Sequence, residues 1–228
     1  MAAAVIETHS LTKTFGATPV LRGAEFQLDT GTAAVIVGGN GSGKSTLLRI
    51  IAGLSQPTEG SATVFGHDSR RLTIEDRRRI GMLTHQSWMY PNLSARENLE
   101  FYAELYGIDD GSRVATQWID EVGLTAAANE RVRGFSRGME QRLSIARTMM
   151  SKPDLLLLDE PFAALDPDAV AIVSALIRSA VANGCAALIT AHLPLELGLH
   201  ATRYEITRGR LIRCADDRGA QTRSIVGA

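Results

Sequence analysis

Gly38-Gly39-Asn40-Gly41-Ser42-Gly43-Lys44-Ser45 decides how the rest of the chain is read. It follows residues 33–37 (AAVIV), an apolar run of buried-strand length, and residues 45–52 follow with helical character. Strand, glycine-rich loop and helix are the context in which a chain wraps a phosphate. The glycines let successive backbone N–H groups turn inward around phosphate oxygens, and the helix adds its positive N-terminus. Lys44 supplies a point charge for the β- and γ-phosphates, and the Ser45 hydroxyl can ligate Mg2+. The glycine spacing is not G-x-G-x-x-G, which disfavours a dinucleotide site.

A second element matches the loop from far along the chain. Leu155-Leu156-Leu157-Leu158-Asp159-Glu160 reads as a buried strand that ends in acids. Asp159 at the strand end suits a partner for the Mg2+ held by Ser45, and Glu160 suits a general base facing the γ-phosphate. His192 follows the strand predicted at 186–190, and Gln86 follows the one predicted at 80–85. Both fall at the C-terminal edge of the sheet, where ligands of parallel sheets gather. Gln86 there is a contact for Mg2+ or water, or a loop amide.

Outward from these motifs, strands alternate with helices, which predicts an α/β fold with a largely parallel sheet. The first third reads as short strands separated by glycine turns. Residues 87–150 read as helical: Ser94 and Glu97 form a capping box, Gly107 stops the helix they start, and further helices are expected at 113–122 and 138–150. Residues 203–207 and 210–214 form a small hairpin around Arg208-Gly209, and the tail from Asp216 is polar. The organisation expected is a single domain over 1–228. Residues 1–86 and 151–228 form its nucleotide-binding core, and 87–150 an inserted helical subdomain.

Composition sets the outer bounds. With 228 residues, 24 Lys plus Arg against 25 Asp plus Glu and a formal net charge of −1, bulk electrostatics hold no nucleic acid to this chain. Cys185 and Cys214 have no metal spacing and suggest a reducing compartment. No apolar run approaches the ~18–20 residues a bilayer span needs, so a soluble chain is expected that meets a membrane only through a partner.

Phe135-Ser136-Arg137-Gly138-Met139-Glu140-Gln141-Arg142, placed before the LLLLDE strand, completes a set that resembles the ATP-binding cassette ATPases. The resemblance covers essentially the whole chain. It implies a P-loop NTPase core with a small antiparallel β subdomain and an inserted helical subdomain. It implies ATP and Mg2+ as ligands. Phe15 would stack on adenine. Gly38, Gly39, Asn40, Gly41, Ser42, Gly43, Lys44, Ser45 and Thr46 would form the Walker A loop, with Gln86 the Q-loop glutamine. Asp159 and Glu160 would form Walker B with the catalytic glutamate, Asp166 would belong to the D-loop, and His192 would be the switch histidine. Ser136 and Gly138 would reach the γ-phosphate held by a second copy in a head-to-tail homodimer or paired cassette. Arg137 and Met139 depart from the commoner LSGGQ signature. A separate transmembrane permease is implied, with the chain peripheral on the cytoplasmic face of the inner membrane. Trp88, Met89 and Tyr90 are candidates to meet it, or else pack inside the helical lobe.

Within this family the stretch GMLTHQSWMYPNLSARENLEFYAELYG and the FSRGM signature resemble the haem exporter ATP-binding subunit of cytochrome c maturation. Exporters of drugs, lipids or polysaccharides carry similar signatures. An importer subunit and a soluble cassette acting on ribosomes or DNA are the other readings.

Overall fold

The computed structural model describes residues 4–192, 198 and 200–214. Two strands of twelve residues begin it, β1 (Ala4–Phe15) and β2 (Thr18–Asp29), paired antiparallel. The short strands expected in this region are therefore corrected. Register shifts between Thr8 and Leu11, and on to Thr14, let one strand absorb polar residues that read as breaks. Ser10 sits at φ 46° in one such irregularity, its N–H donating to Glu25 Oε1 at 2.7 Å.

The remaining elements follow in order. They are β3 (Ala33–Val37), α1 (Lys44–Ile51), β4 (Glu59–Val64), β5 (His67–Asp68), α2 (Ile74–Arg78) and β6 (Ile80–Leu83). Then come α3 (Ala95–Tyr106), α4 (Gly111–Glu121), α5 (Arg137–Met149), β7 (Leu155–Asp159), α6 (Pro167–Ala182), β8 (Ala186–Ala191), β9 (Ala201–Thr207) and β10 (Arg210–Arg213). They build two sheets, a four-stranded one ordered β2-β1-β4-β5 and a six-stranded one ordered β10-β9-β3-β8-β7-β6. The first is antiparallel; in the second, only the β9–β10 pairing is antiparallel. The predicted hairpin is thus real, and β9 also extends the parallel sheet beside β3. The α/β class with its small antiparallel sheet stands.

The parallel strands are apolar without interruption because both faces are covered. Leu155 and Leu157 of β7 enter the core shared with α1 and the antiparallel sheet, while Leu156 and Leu158 face the core under α5 and α6. Ala186 and Leu188 of β8 alternate with Ala187 and Ile189 in the same way. Residues 95–150 have a third core of their own. Helix α5 serves two cores at once: Leu143 and Ala146, with Met150 at its C-cap, face the helical lobe, and Ile145 and Met149 face the sheet. This i, i+4 division makes the lobe continuous with the main core rather than a tethered module.

Local signals hold where capping chemistry specifies them. Ser94 caps α3, its hydroxyl accepting from the Glu97 N–H, while Glu97 accepts the Ser94 N–H at 2.7 Å. That backbone bond holds the Glu97 carboxyl below its ordinary value. Gly107 ends the helix at φ 68°. The polar tail from Asp216 lies outside the described residues.

Both cysteines are free. Cys185 is buried at the start of β8, and burial pushes its thiol up to about 12. Only the thiolate reacts readily with alkylating or disulfide reagents. We therefore expect one fast thiol per native chain at neutral pH, Cys214, with Cys185 labelled only on unfolding. Two fast thiols in a dithionitrobenzoate assay would contradict the burial.

Candidate functional site

Register brings the predicted residues to one edge. Val37 lies opposite Ala191, and Asp159 opposite Thr190, across adjacent parallel strands. The three chain continuations, Gly38, Glu160 and His192, therefore leave the sheet side by side, and the Gly38 N–H donates to Ala191 O at 3.3 Å.

The glycine loop folds as its sequence requires. Gly43 precedes α1 at φ 110°, and a Cβ there would lie 3.0 Å from Leu21 Cδ2 and Val20 O. Only glycine supplies that dihedral and that clearance. The contact also presses β2 against the loop. Phe15, at the tip of the same β1–β2 hairpin, is 53% exposed with the Lys13 ammonium 4.8 Å from its ring centroid. Lys44 is only 5% exposed, and its Nζ donates to Gly38 O at 2.6 Å and Gly39 O at 3.1 Å. The Ser42 hydroxyl is buried with no hydrogen-bond partner among the described residues. A buried cation folded back on carbonyls beside an unsatisfied hydroxyl is a loop whose chemistry calls for an anion.

Glu160 is the centre of the charged cluster. Its Oε1 lies 3.6 Å from Lys44 Nζ and its Oε2 2.9 Å from His192 Nε2. A carboxylate only accepts, so the His192 Nε2 carries the proton. The backbone of Glu160 is left-handed, φ 52°, a strained conformation for a non-glycine residue. It is held from both sides. The Glu160 N–H donates to the Thr190 hydroxyl oxygen at 3.1 Å, and Gln141 Nε2 donates to its carbonyl at 3.3 Å. The same Thr190 hydroxyl donates to Asp159 Oδ1 at 2.7 Å. One fully buried threonine thus fixes both acids. Sequence reading missed it; its only signal was its place at the end of a predicted strand.

The structure does not unite all predicted residues. Asp159 and Glu160 line a cleft of about 420 Å3 together with His85, Ser87, Arg137, Glu140 and Gln141. Gln86 is not among them. It lines a different groove, with Arg49, Leu54, Trp88, Tyr102 and Arg147. β6 ends at Leu83 and residues 85–86 form a bend, from which His85 and not Gln86 lines the cleft of the acids. Ser136 and Asp166 bond within their own helix starts, accepting from the Met139 N–H at 3.2 Å and the Ala169 N–H at 2.8 Å. Gly138 packs on the turn before α6, where a Cβ would come within 2.8 Å of Ala164 O. Met139 packs against the helical-lobe core, which gives that departure from the usual signature a structural reason.

Among the described residues no cluster of His, Cys, Asp or Glu could hold a metal by itself. One carboxylate and one hydroxyl, completed by phosphates and water, is the donor set Mg2+ accepts, because it dehydrates reluctantly. The residues fit that ion.

A family model described as ABC transporter matches residues 21–163. The chain belongs to that family. It is 31% identical over 204 residues to the linearmycin resistance ATP-binding protein LnrL of Bacillus subtilis, covering 89% of this chain and 66% of that protein. It is 35% identical over 194 residues to the bacitracin transport ATP-binding protein BcrA of Bacillus licheniformis, covering 85% of this chain and 63% of that protein. The chain thus spans just under two thirds of each relative. A solved ATP-binding subunit of an ABC transporter superposes with a TM-score of 0.83 at 26% identity, over 93% of this chain and 90% of the other.

Proposed function

We propose that this cassette binds and hydrolyses ATP to drive export of an antibiotic-like compound through separate membrane subunits. The observation that carries the ATP reading is the placement of Glu160 between Lys44 and His192, with Asp159 pinned beside it by Thr190. Lys44 and the loop N–H groups would hold the phosphates, and Phe15 the adenine. Ser45 and Asp159 would hold Mg2+, which neutralises phosphate charge when bound. Glu160 would accept the proton of the attacking water, with His192 orienting its carboxylate. Ser136, Gly138 and Asp166 would complete the nucleotide site of a second copy packed head to tail.

No helix among the described residues is long and apolar enough to cross a membrane, so the reading needs a membrane partner that holds the cassette at the cytoplasmic face. The groove of Trp88, Tyr102 and Leu54 suits its docking. Trp88 is 59% exposed, and Tyr90 is exposed in edge contact with Phe101. For the cargo, the names of the two relatives, linearmycin resistance and bacitracin transport, support antibiotic-like compounds over the haem suggested by residues 81–107. A tagged pull-down from detergent-solubilised native membranes tests this. A polytopic partner without a haem absorption band supports the reading. A haem band in the eluate returns the cargo to haem. Ribosomal or DNA-bound material without a membrane subunit removes the transport reading.

A further inference from the structure

Phe15 is half exposed at the tip of the β1–β2 hairpin, and an ammonium covers one face of its ring. The Lys13 Nζ lies 4.8 Å from the ring centroid. That cation is tethered. Lys13 is half-buried, and its Nζ donates to Gln56 O at 2.7 Å. The chain beside that carbonyl is itself tied to β1. The Thr58 N–H donates to Thr12 O at 2.8 Å, and the Thr58 hydroxyl accepts the Thr14 N–H at 3.0 Å. Backbone bonds therefore set the point at which the ammonium is held.

The tether also sets its direction. Gln56 lies past the C-terminal end of α1, whereas the phosphate loop lies before its N-terminal end. The eight residues of α1 separate the two by about 12 Å along the helix axis. The Lys13 ammonium is thus drawn toward the end of α1 remote from the phosphates, and its charge acts on the ring. An aromatic ring carries negative charge on its faces and positive charge at its edge. A cation on one face anchors the ring and draws electron density toward itself. The opposite face then repels the π-cloud of a stacked base less.

We propose that Lys13 is a positioning residue for the nucleobase: it anchors and polarises the Phe15 ring, and adenine stacks on the face away from the ammonium. This rests on the ATP reading above, in which Phe15 holds the adenine. Lys13 itself touches no atom of the nucleotide and acts through Phe15.

The test is calorimetric binding to the full chain in MgCl2, with two probes: AMP-PNP, and inorganic tripolyphosphate, which has no base. Lys13→Met keeps an unbranched stem and removes the charge. It is expected to weaken AMP-PNP binding by about threefold to tenfold, the scale of a cation–π contact, and to leave tripolyphosphate binding unchanged. Lys13→Arg keeps a cation and should retain most of the affinity. Phe15→Leu should weaken AMP-PNP binding by itself, and adding Lys13→Met to it should cost nothing further. A lysine that mattered only for its bond to Gln56 O would cost the same in both backgrounds, which overturns the proposal. Unchanged or tighter AMP-PNP binding in Lys13→Met, or an equal loss for tripolyphosphate, also overturns it. Full affinity in Phe15→Leu would take the adenine away from Phe15, and the role of Lys13 with it. A parent chain with no affinity for AMP-PNP would instead sink the ATP reading itself.

Discussion

Lys44→Ala is expected to weaken ATP binding by about tenfold to a hundredfold, since a hydrogen bond to a charged group contributes ~1.5–3 kcal/mol and each ~1.4 kcal/mol is tenfold in affinity. The argument begins with where the ammonium sits. It is nearly buried, bonded to Gly38 O and Gly39 O, and 3.6 Å from Glu160 Oε1. A phosphate competes with those carbonyls for the same donors and wins by its charge. Alanine leaves the loop N–H groups in place but deletes the one cation at their centre. The carbonyls it abandons lie in a loop at the sheet edge, where water can take over, so the fold should survive. Circular dichroism and thermal melting of the variant should match the parent, while fluorescence titration with a labelled ATP shows the loss. Unchanged affinity in a folded Lys44→Ala chain would remove this loop from the phosphate site.

How much of this was legible in the sequence depends on the distance the information had to travel. The glycine loop and the LLLLDE strand were legible because each motif is a run of neighbours. Its local structure follows from φ freedom at Gly43 and from apolar continuity at 155–158. The cap of α3 was legible for the same reason, since Ser94 and Glu97 are three residues apart. Thr190 was not. It reaches Asp159 through the β7–β8 register, from 31 residues away. Which of His85 and Gln86 enters the cleft was not legible either, because the strand expected to run to residue 85 stops at Leu83 and residues 85–86 bend. The β1 and β2 strands were misjudged as short because bulges look like breaks when the partner strand is unknown.

Glu160→Gln is expected to lower turnover by about 10²–10⁴-fold, the range a positioned general base contributes, while leaving ATP bound. The position supports so large a share. A left-handed glutamate costs on the order of 1–3 kcal/mol, and the chain holds it there with Thr190 on its N–H and Gln141 on its carbonyl. Those ties are made by the backbone, so glutamine inherits them. What glutamine lacks is the ability to take a proton. Its amide can still accept from His192 Nε2, so the imidazole stays in place and the geometry is preserved. Affinity for ATP should equal or exceed that of the parent, because Lys44 loses a competing carboxylate at 3.6 Å. With hydrolysis stalled, the ATP-bound head-to-tail pair has no route to reopen. Gel filtration with Mg2+ and ATP should then show a dimer that the parent forms only transiently. Steady-state phosphate release together with that elution profile separates the outcomes. Parental turnover would remove Glu160 from the base role. Lost turnover without dimer would keep the base and refute the composite site built from Ser136 and Gly138 of a second copy.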